Sequence, residues 1–132
     1  MDVFELAKKS LSDLRQLGQE LDIHNARRLK KENLIIRIRQ AEAEKEGEEV
    51  RGGVLEIMNE GVGFLRTNYQ IGSEDVYVSQ AQLRRQELRN GDLVIGTVRP
   101  PRESERHYGL LKVESINLHP PEEVERRPHF VK

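Results

Sequence analysis

The chain has 132 residues, 36% apolar and 34% charged, with a formal net charge of -1, which fits a soluble globular protein of one domain or two small ones with modest cores. No overall basic field announces nucleic acid, so any such binding must come from locally clustered arginines. Without cysteine there are no disulfides or thiolate metal sites, and His24, His107, His119 and His129 lack ligand spacing, so no metal is expected.

From Met1 to about Glu49 the periodicity is helical. Phe4, Leu11, Leu14, Leu17 and Leu21 fall at spacings of three, four or seven, one stripe of an interrupted amphipathic segment. Ser10 or Ser12 can N-cap the second helix, with Asp13 in its first turn, while Gly18 weakens the helical pattern. After the turn-like Asp22-Ile23-His24-Asn25, a short helical turn holding Ala26 and Leu29 leads into a helix from Lys31 to about Glu44. Leu34, Ile35, Ile38 and Ala41 are its expected buried stripe. Arg27, Arg28, Lys30 and Lys31 form a basic cluster that reads as a solvated face, with auxiliary contact to nucleic acid as the alternative. The mainly acidic run from Glu42 to Glu49 suits a solvated helix end and linker.

Near Gly52-Gly53 the period changes to alternation, which marks a boundary at about residue 50. Val54 to Met58 reads as a first strand, Asn59-Glu60-Gly61 as a turn, Gly63 to Arg66 as a second strand and Asp75 to Val78 as a third. Ser79 caps a short helical turn through Leu83, Arg84 and Arg85, and Asn90-Gly91-Asp92 turns the chain again. Leu93 to Val98 and Tyr108 to Ile116 supply the last two strands. Five short antiparallel strands with a helical insert describe an OB-type barrel, so the fold class is α+β: a helical subdomain over 1–49, a barrel over 50–118 and a truncated linker over 119–132.

Alternation puts Phe64 and Arg66 on one face of their strand, and Asp75 and Tyr77 on one face of theirs. An aromatic ring, a guanidinium, a carboxylate and a phenol could form a platform for a nucleobase, stacking its rings and meeting its edge. The alternative is a twisted hairpin in which Phe64 fills a core. Between the last two strands, Pro100-Pro101 stiffens a loop that gathers Arg99, Arg102 and Arg106 with Glu103 and Glu105. These charges can meet a ligand or simply pair with one another. No apolar run reaches membrane-spanning length and the N-terminus lacks a secretory pattern, so a cytoplasmic protein with no membrane partner is expected.

Several short stretches occur together in order: Gly52-Gly53-Val54-Leu55-Glu56-Ile57, Gly61-Val62-Gly63-Phe64-Leu65-Arg66, Asp75-Val76-Tyr77-Val78-Ser79, Arg99-Pro100-Pro101 and Leu110-Leu111-Lys112-Val113. In this combination the chain resembles, over nearly its whole length, the N-terminal RNA-binding region of bacterial transcription termination factor Rho. The resemblance implies a helical subdomain before a cold-shock-like barrel that captures pyrimidine-rich, single-stranded RNA for a hexameric, ATP-driven translocase. It further implies that Phe64 stacks on a base, that Arg66 and Asp75 read a cytosine edge, and that Tyr77, Glu105 and Arg106 enclose a neighbouring base. Two positions depart: Val62 stands where the family often has a second aromatic, and His107 where a tyrosine is common. Tyr108, of opposite strand parity, is a doubtful substitute.

No phosphate loop ending in Gly-Lys-Ser/Thr occurs. The chain itself is therefore expected to be no enzyme and to need no cofactor, with ATP and magnesium belonging to the motor domain of a longer RNA-dependent ATPase. A hexamer is implied for that longer protein. The competing reading is a protein-docking module with no nucleic-acid ligand. A hydrolase is poorly supported, because no carboxylate is arranged with histidine in a recognisable metal or nucleophile motif.

Overall fold

Helix α1 (Val3–Ala7) starts at Asp2, whose side chain accepts from Glu5 N while the Glu5 carboxylate accepts from Asp2 N, a reciprocal capping box. Helix α2 (Leu11–Glu20) starts at Ser10, whose hydroxyl accepts from Asp13 N at 3.1 Å. The structure, a computed structural model, describes residues 2–66 and 75–124. Helix α2 runs unbroken through Gly18, and tertiary packing explains the glycine. A Cβ there would lie 3.0 Å from Ala26 Cβ and 3.4 Å from Leu34 Cδ2, so its absence lets the following turn and helix press directly on α2.

The expected turn at 22–25 is present, with Asp22 and Asn25 at φ 57° and 59°, but the stretch holding Ala26 and Leu29 makes a turn, Arg28 N donating to Asn25 O, and not a helix. Left-handed residues at both positions bend the chain too sharply for a helix to propagate. Helix α3 (Lys31–Lys45) buries Leu34, Ile35, Ile36, Ile38 and Ala43. The expected stripe is corrected at three places: Ile36 and Ala43 are buried, while Ala41 is only partly so. A stripe read from one helix cannot anticipate that α3 packs on a bundle and on a barrel at once.

The barrel is closed in the order β1 (Val50–Ile57), β2 (Gly63–Arg66), β3 (Val76–Val78), β5 (Tyr108–Ile116) and β4 (Leu93–Arg99), and β4 pairs back to β1. Strand β1 begins four residues before the expected Val54, so Gly52 and Gly53 lie inside it. A Cβ on Gly52 would lie 3.0 Å from Ile36 Cδ1 and from Ile95 Cγ1, and the missing side chain is what lets α3 seat on the barrel wall. The all-antiparallel expectation is also corrected. Strands β3 and β5 pair in parallel, through Val76↔Tyr108 and Tyr77↔Gly109. Closing five strands joins the third to the fifth, and the connection through α4 (Gln80–Arg85) and β4 brings β5 back in the same direction.

Inside the barrel, Leu55, Leu65, Val76, Val78, Val94 and Ile116 meet Leu83 from α4. Ser79 caps α4 in a second capping box with Gln82, whose amide also donates to Leu110 O at 2.7 Å and ties the insert to β5. The helical core takes in Val50 and Ile95 from the outside of the barrel. Arg39 of α3 forks onto Glu114 of β5 with two bonds of 3.0 Å. Burial works against the Arg39 charge, but Glu114 more than offsets it and the guanidinium is held above its ordinary range. Beyond Ile116 the chain folds back, Ile116 N donating to His119 O at 3.0 Å, and forms a short helix α5 (Pro121–Val124), while residues 125–132 of the expected linker lie outside the described residues.

Candidate nucleic-acid interface

Strand β2 is half inside and half outside. Gly63 and Leu65 are buried, so Phe64 and Arg66 point outward; in β3, Val76 and Val78 are buried and Tyr77 points outward at 37% exposure. The register then assembles the face: Phe64 lies opposite Tyr77 on one side and opposite Glu56 on the other, and Arg66 lies opposite Val54. One outer surface therefore carries Val54, Glu56, Phe64, Arg66 and Tyr77 together.

Phe64 is half-buried and lies outside the barrel core, which argues against its reading as a core filler. Its ring meets Tyr77 edge-on, with centroids 5.8 Å apart, and His107 edge-on at 5.0 Å. His107, in the residue position just before β5, thus joins the aromatic cluster. Tyr108 does not: it packs against the barrel core with the Arg51 guanidinium 3.8 Å from its ring centroid. Val62 is half-buried and its carbonyl accepts from Met58 N at 2.8 Å, closing the hairpin without supplying a ring.

Arg66 is the electrostatic centre of the face. Its Nε donates to Glu56 Oε1 at 2.8 Å and its Nη1 to Asp75 Oδ2. The Glu56 carboxylate, with Asp75 beside it, holds the guanidinium above its ordinary range. Among the described residues two of its five N–H donors are engaged, and Asp75 keeps its second oxygen outside this contact. Glu56 is the member of this group that residue reading did not select. Its signal is its position opposite Phe64, visible only once the strand register is known.

The loop 100–107 brings a second pair. Arg99 donates to both oxygens of Glu105, at 2.7 and 2.9 Å, and Arg102 N donates to Glu105 Oε1 at 3.0 Å. Arg99, and then the Arg102 N–H, lower the Glu105 pKa to about 2. The loop charges thus do pair with one another at Arg99 and Glu105, while Arg106, next to His107, is exposed. Among the described residues no group of three or more histidines, aspartates or glutamates is placed to hold a metal ion, and no helix is long and apolar enough to cross a membrane.

A small closed barrel whose outer wall gathers aromatic rings beside guanidinium–carboxylate pairs is an oligonucleotide-binding fold by architecture. Comparison with known proteins places it more narrowly. Residues 51–122 match the model of the Rho termination factor RNA-binding domain and residues 5–47 that of the Rho termination factor N-terminal domain. The chain is 46% identical to transcription termination factor Rho of Bacillus subtilis over 132 residues. It is 44% identical to that of Pseudomonas fluorescens and 41% identical to that of Escherichia coli K12, each over 134 residues, with 98% of this chain covered in both. The chain belongs to the Rho termination factor family and carries its RNA-binding domain. It spans about a third of the length of these relatives, 31 to 32%.

Proposed function

We propose that the barrel captures single-stranded RNA with a preference for cytosine, as the RNA-loading part of a longer Rho polypeptide that works as a hexameric, ATP-driven translocase in the cytoplasm. In this reading a base stacks on Phe64, Arg66 and Asp75 engage its pairing edge, and Tyr77, His107, Glu105 and Arg106 enclose the next base. The barrel of residues 50–118 binds, the helices of residues 1–49 brace it, and residues 119–132 lead onward to the motor. The observation that carries the reading is the cross-strand register of Phe64 with Tyr77 and Glu56, which puts rings and charged groups on one outer face.

The chemistry favours cytosine. Its edge offers an amine donor beside ring-nitrogen and carbonyl acceptors, which a carboxylate and a guanidinium complement together. Uracil replaces the amine with a carbonyl and would leave Asp75 facing an acceptor. Titrating the chain with labelled oligocytidine and oligouridine at several salt concentrations, followed by fluorescence anisotropy, tests this. Saturable, salt-sensitive binding that is tighter for oligocytidine is expected. No binding to either oligomer overturns the reading and leaves a protein-docking role.

A further inference from the structure

The helical subdomain carries a second surface suited to nucleic acid. Two adjoining hollows of about 380 and 410 Å³ share Gln19 and Arg27 and run between α2 and the 22–29 turn. The first is lined by Ser12, Arg15, Gln16 and Gln19 from α2 together with Arg27. The second adds Ile23, Asn25, Ala26 and Arg28. Spacings of three and four residues put the α2 members on one face of the helix, and its carboxylates Asp13 and Glu20 line neither hollow.

The arginines here differ from the four that the fold pairs with carboxylates. Arg39, Arg51, Arg66 and Arg99 each pair with a carboxylate. Among the described residues Arg15, Arg27 and Arg28 have no such partner. Moreover, Arg15 Nε is shut off from solvent with no acceptor, a donor the fold leaves unsatisfied. By contrast, the hollow lined by Asp2, Arg39, Glu42, Lys45 and Glu46 contains its own counter-charges.

The turn that carries Arg27 and Arg28 is also held in place. Ala26 is buried and would be 3.0 Å from a Cβ on Gly18, Ile23 N donates to Gly18 O at 2.9 Å, and Arg28 N donates to Asn25 O at 2.9 Å. A row of guanidinium groups, amides and a hydroxyl, without acids and on an anchored turn, suits phosphate and sugar oxygens and reads no base.

We propose that this groove is a second, sequence-independent backbone site for single-stranded RNA, with Arg15, Arg27 and Arg28 on phosphates and Ser12, Gln16, Gln19 and Asn25 on sugar and phosphate oxygens. The choice of RNA as occupant rests on the reading of the barrel as an RNA-capture site. RNA held by the barrel would meet the groove at raised local concentration, because the Arg39–Glu114 fork and the shared core fix the two parts to each other.

The test uses the whole chain and oligocytidines of about 4 and about 16 nucleotides, the range one such barrel spans. Each neutralised phosphate contributes about 0.7 to the salt slope of single-strand binding. Changing Arg27→Gln and Arg28→Gln together should therefore lower the slope for the long oligomer by about 1.4, and adding Arg15→Gln by about 2 in all. The slope for the short oligomer should not change. Backbone amide shifts at residues 19 and 25–28 of the unmodified protein should move with the long oligomer and not the short one. This arm holds even where the Arg15 variant folds poorly. An unchanged slope for the long oligomer with still amides overturns the site, and shifts produced by duplex DNA but not by RNA overturn its assignment to RNA. Failure of the short oligomer to bind the unmodified protein would count against the barrel reading, while the slope and shifts with the long oligomer would still decide the groove.

Discussion

Replacing Phe64 by alanine separates the contribution of its ring to stability from its contribution to binding. Phe64 is half-buried on the outside of the barrel and touches two rings edge-on, at 5.0 and 5.8 Å. A fully buried phenylalanine loses ~3 to 5 kcal/mol on truncation, so about half of that, roughly 2 kcal/mol, is expected here. At about 4 °C per kcal/mol this lowers the melting midpoint by roughly 8 °C. Losing a stacked base costs ~1 to 3 kcal/mol, or about 5- to 150-fold in affinity. The loss should be alike for oligocytidine and oligouridine, because the ring face is indifferent to the pairing edge. Phe64→Leu keeps most of the apolar volume and should recover most of the stability, since swaps that conserve volume cost under about 1.5 kcal/mol, while the binding loss persists. Thermal melts without RNA and anisotropy titrations below the melting range measure the two effects separately. A stability loss of ~3 to 5 kcal/mol with unchanged affinity of the folded fraction would make Phe64 a core residue and refute the stacking argument.

Asp75→Asn should reduce the preference for oligocytidine over oligouridine, because an amide can present a donor or an acceptor and relieves the ~1 to 3 kcal/mol mismatch that uracil incurs; an unchanged ratio at one salt concentration would leave Asp75 as a partner of Arg66 alone. Glu105, paired with Arg99 and Arg102 N, should titrate near pH 2 rather than at the ordinary value of 4.5. Because its pKa is lowered on folding, the loop contact contributes fully above the ordinary carboxylate range and is lost as pH falls through about 2. The carboxyl carbon shift of Glu105 reports this, and Arg99→Gln should move its midpoint up; a midpoint near 4.5 in the unmodified protein would mean that the pair does not persist in solution. Arg39→Ala removes both bonds to Glu114, whose side chain is 20% exposed. With that partial solvent access it should cost ~2 to 3 kcal/mol, read by chemical denaturation, with affinity for a short oligocytidine unchanged. A cost below about 0.5 kcal/mol, the level of an ordinary surface position, would show that the fork does not hold the two parts together.

The amino-acid pattern by itself determined the order and kind of most elements. Alternation in Gly63–Arg66 and Val76–Val78, the Ser79 cap, and the change of period near Gly52 are local signals, and local signals depend only on neighbours in the chain. That Phe64 and Arg66 share a face followed from the same two-residue period, while burial of Gly63 and Leu65 in the closed barrel made it the outer one. Tertiary structure alone decided what those residues face. Cross-strand register put Glu56 opposite Phe64 and Asp75 against Arg66, and nothing within either strand encodes which residue of another strand lies opposite. Barrel closure made β3 and β5 parallel and carried His107 to within 5.0 Å of Phe64. Gly18 and Gly52, which weaken a helix and mark a boundary when read locally, are the points where α2 and β1 let other segments approach to contact distance. Packing density between elements, which has no period along the chain, also buried Ile36 and Ala43 and drew Arg15, Arg27 and Arg28 around one groove.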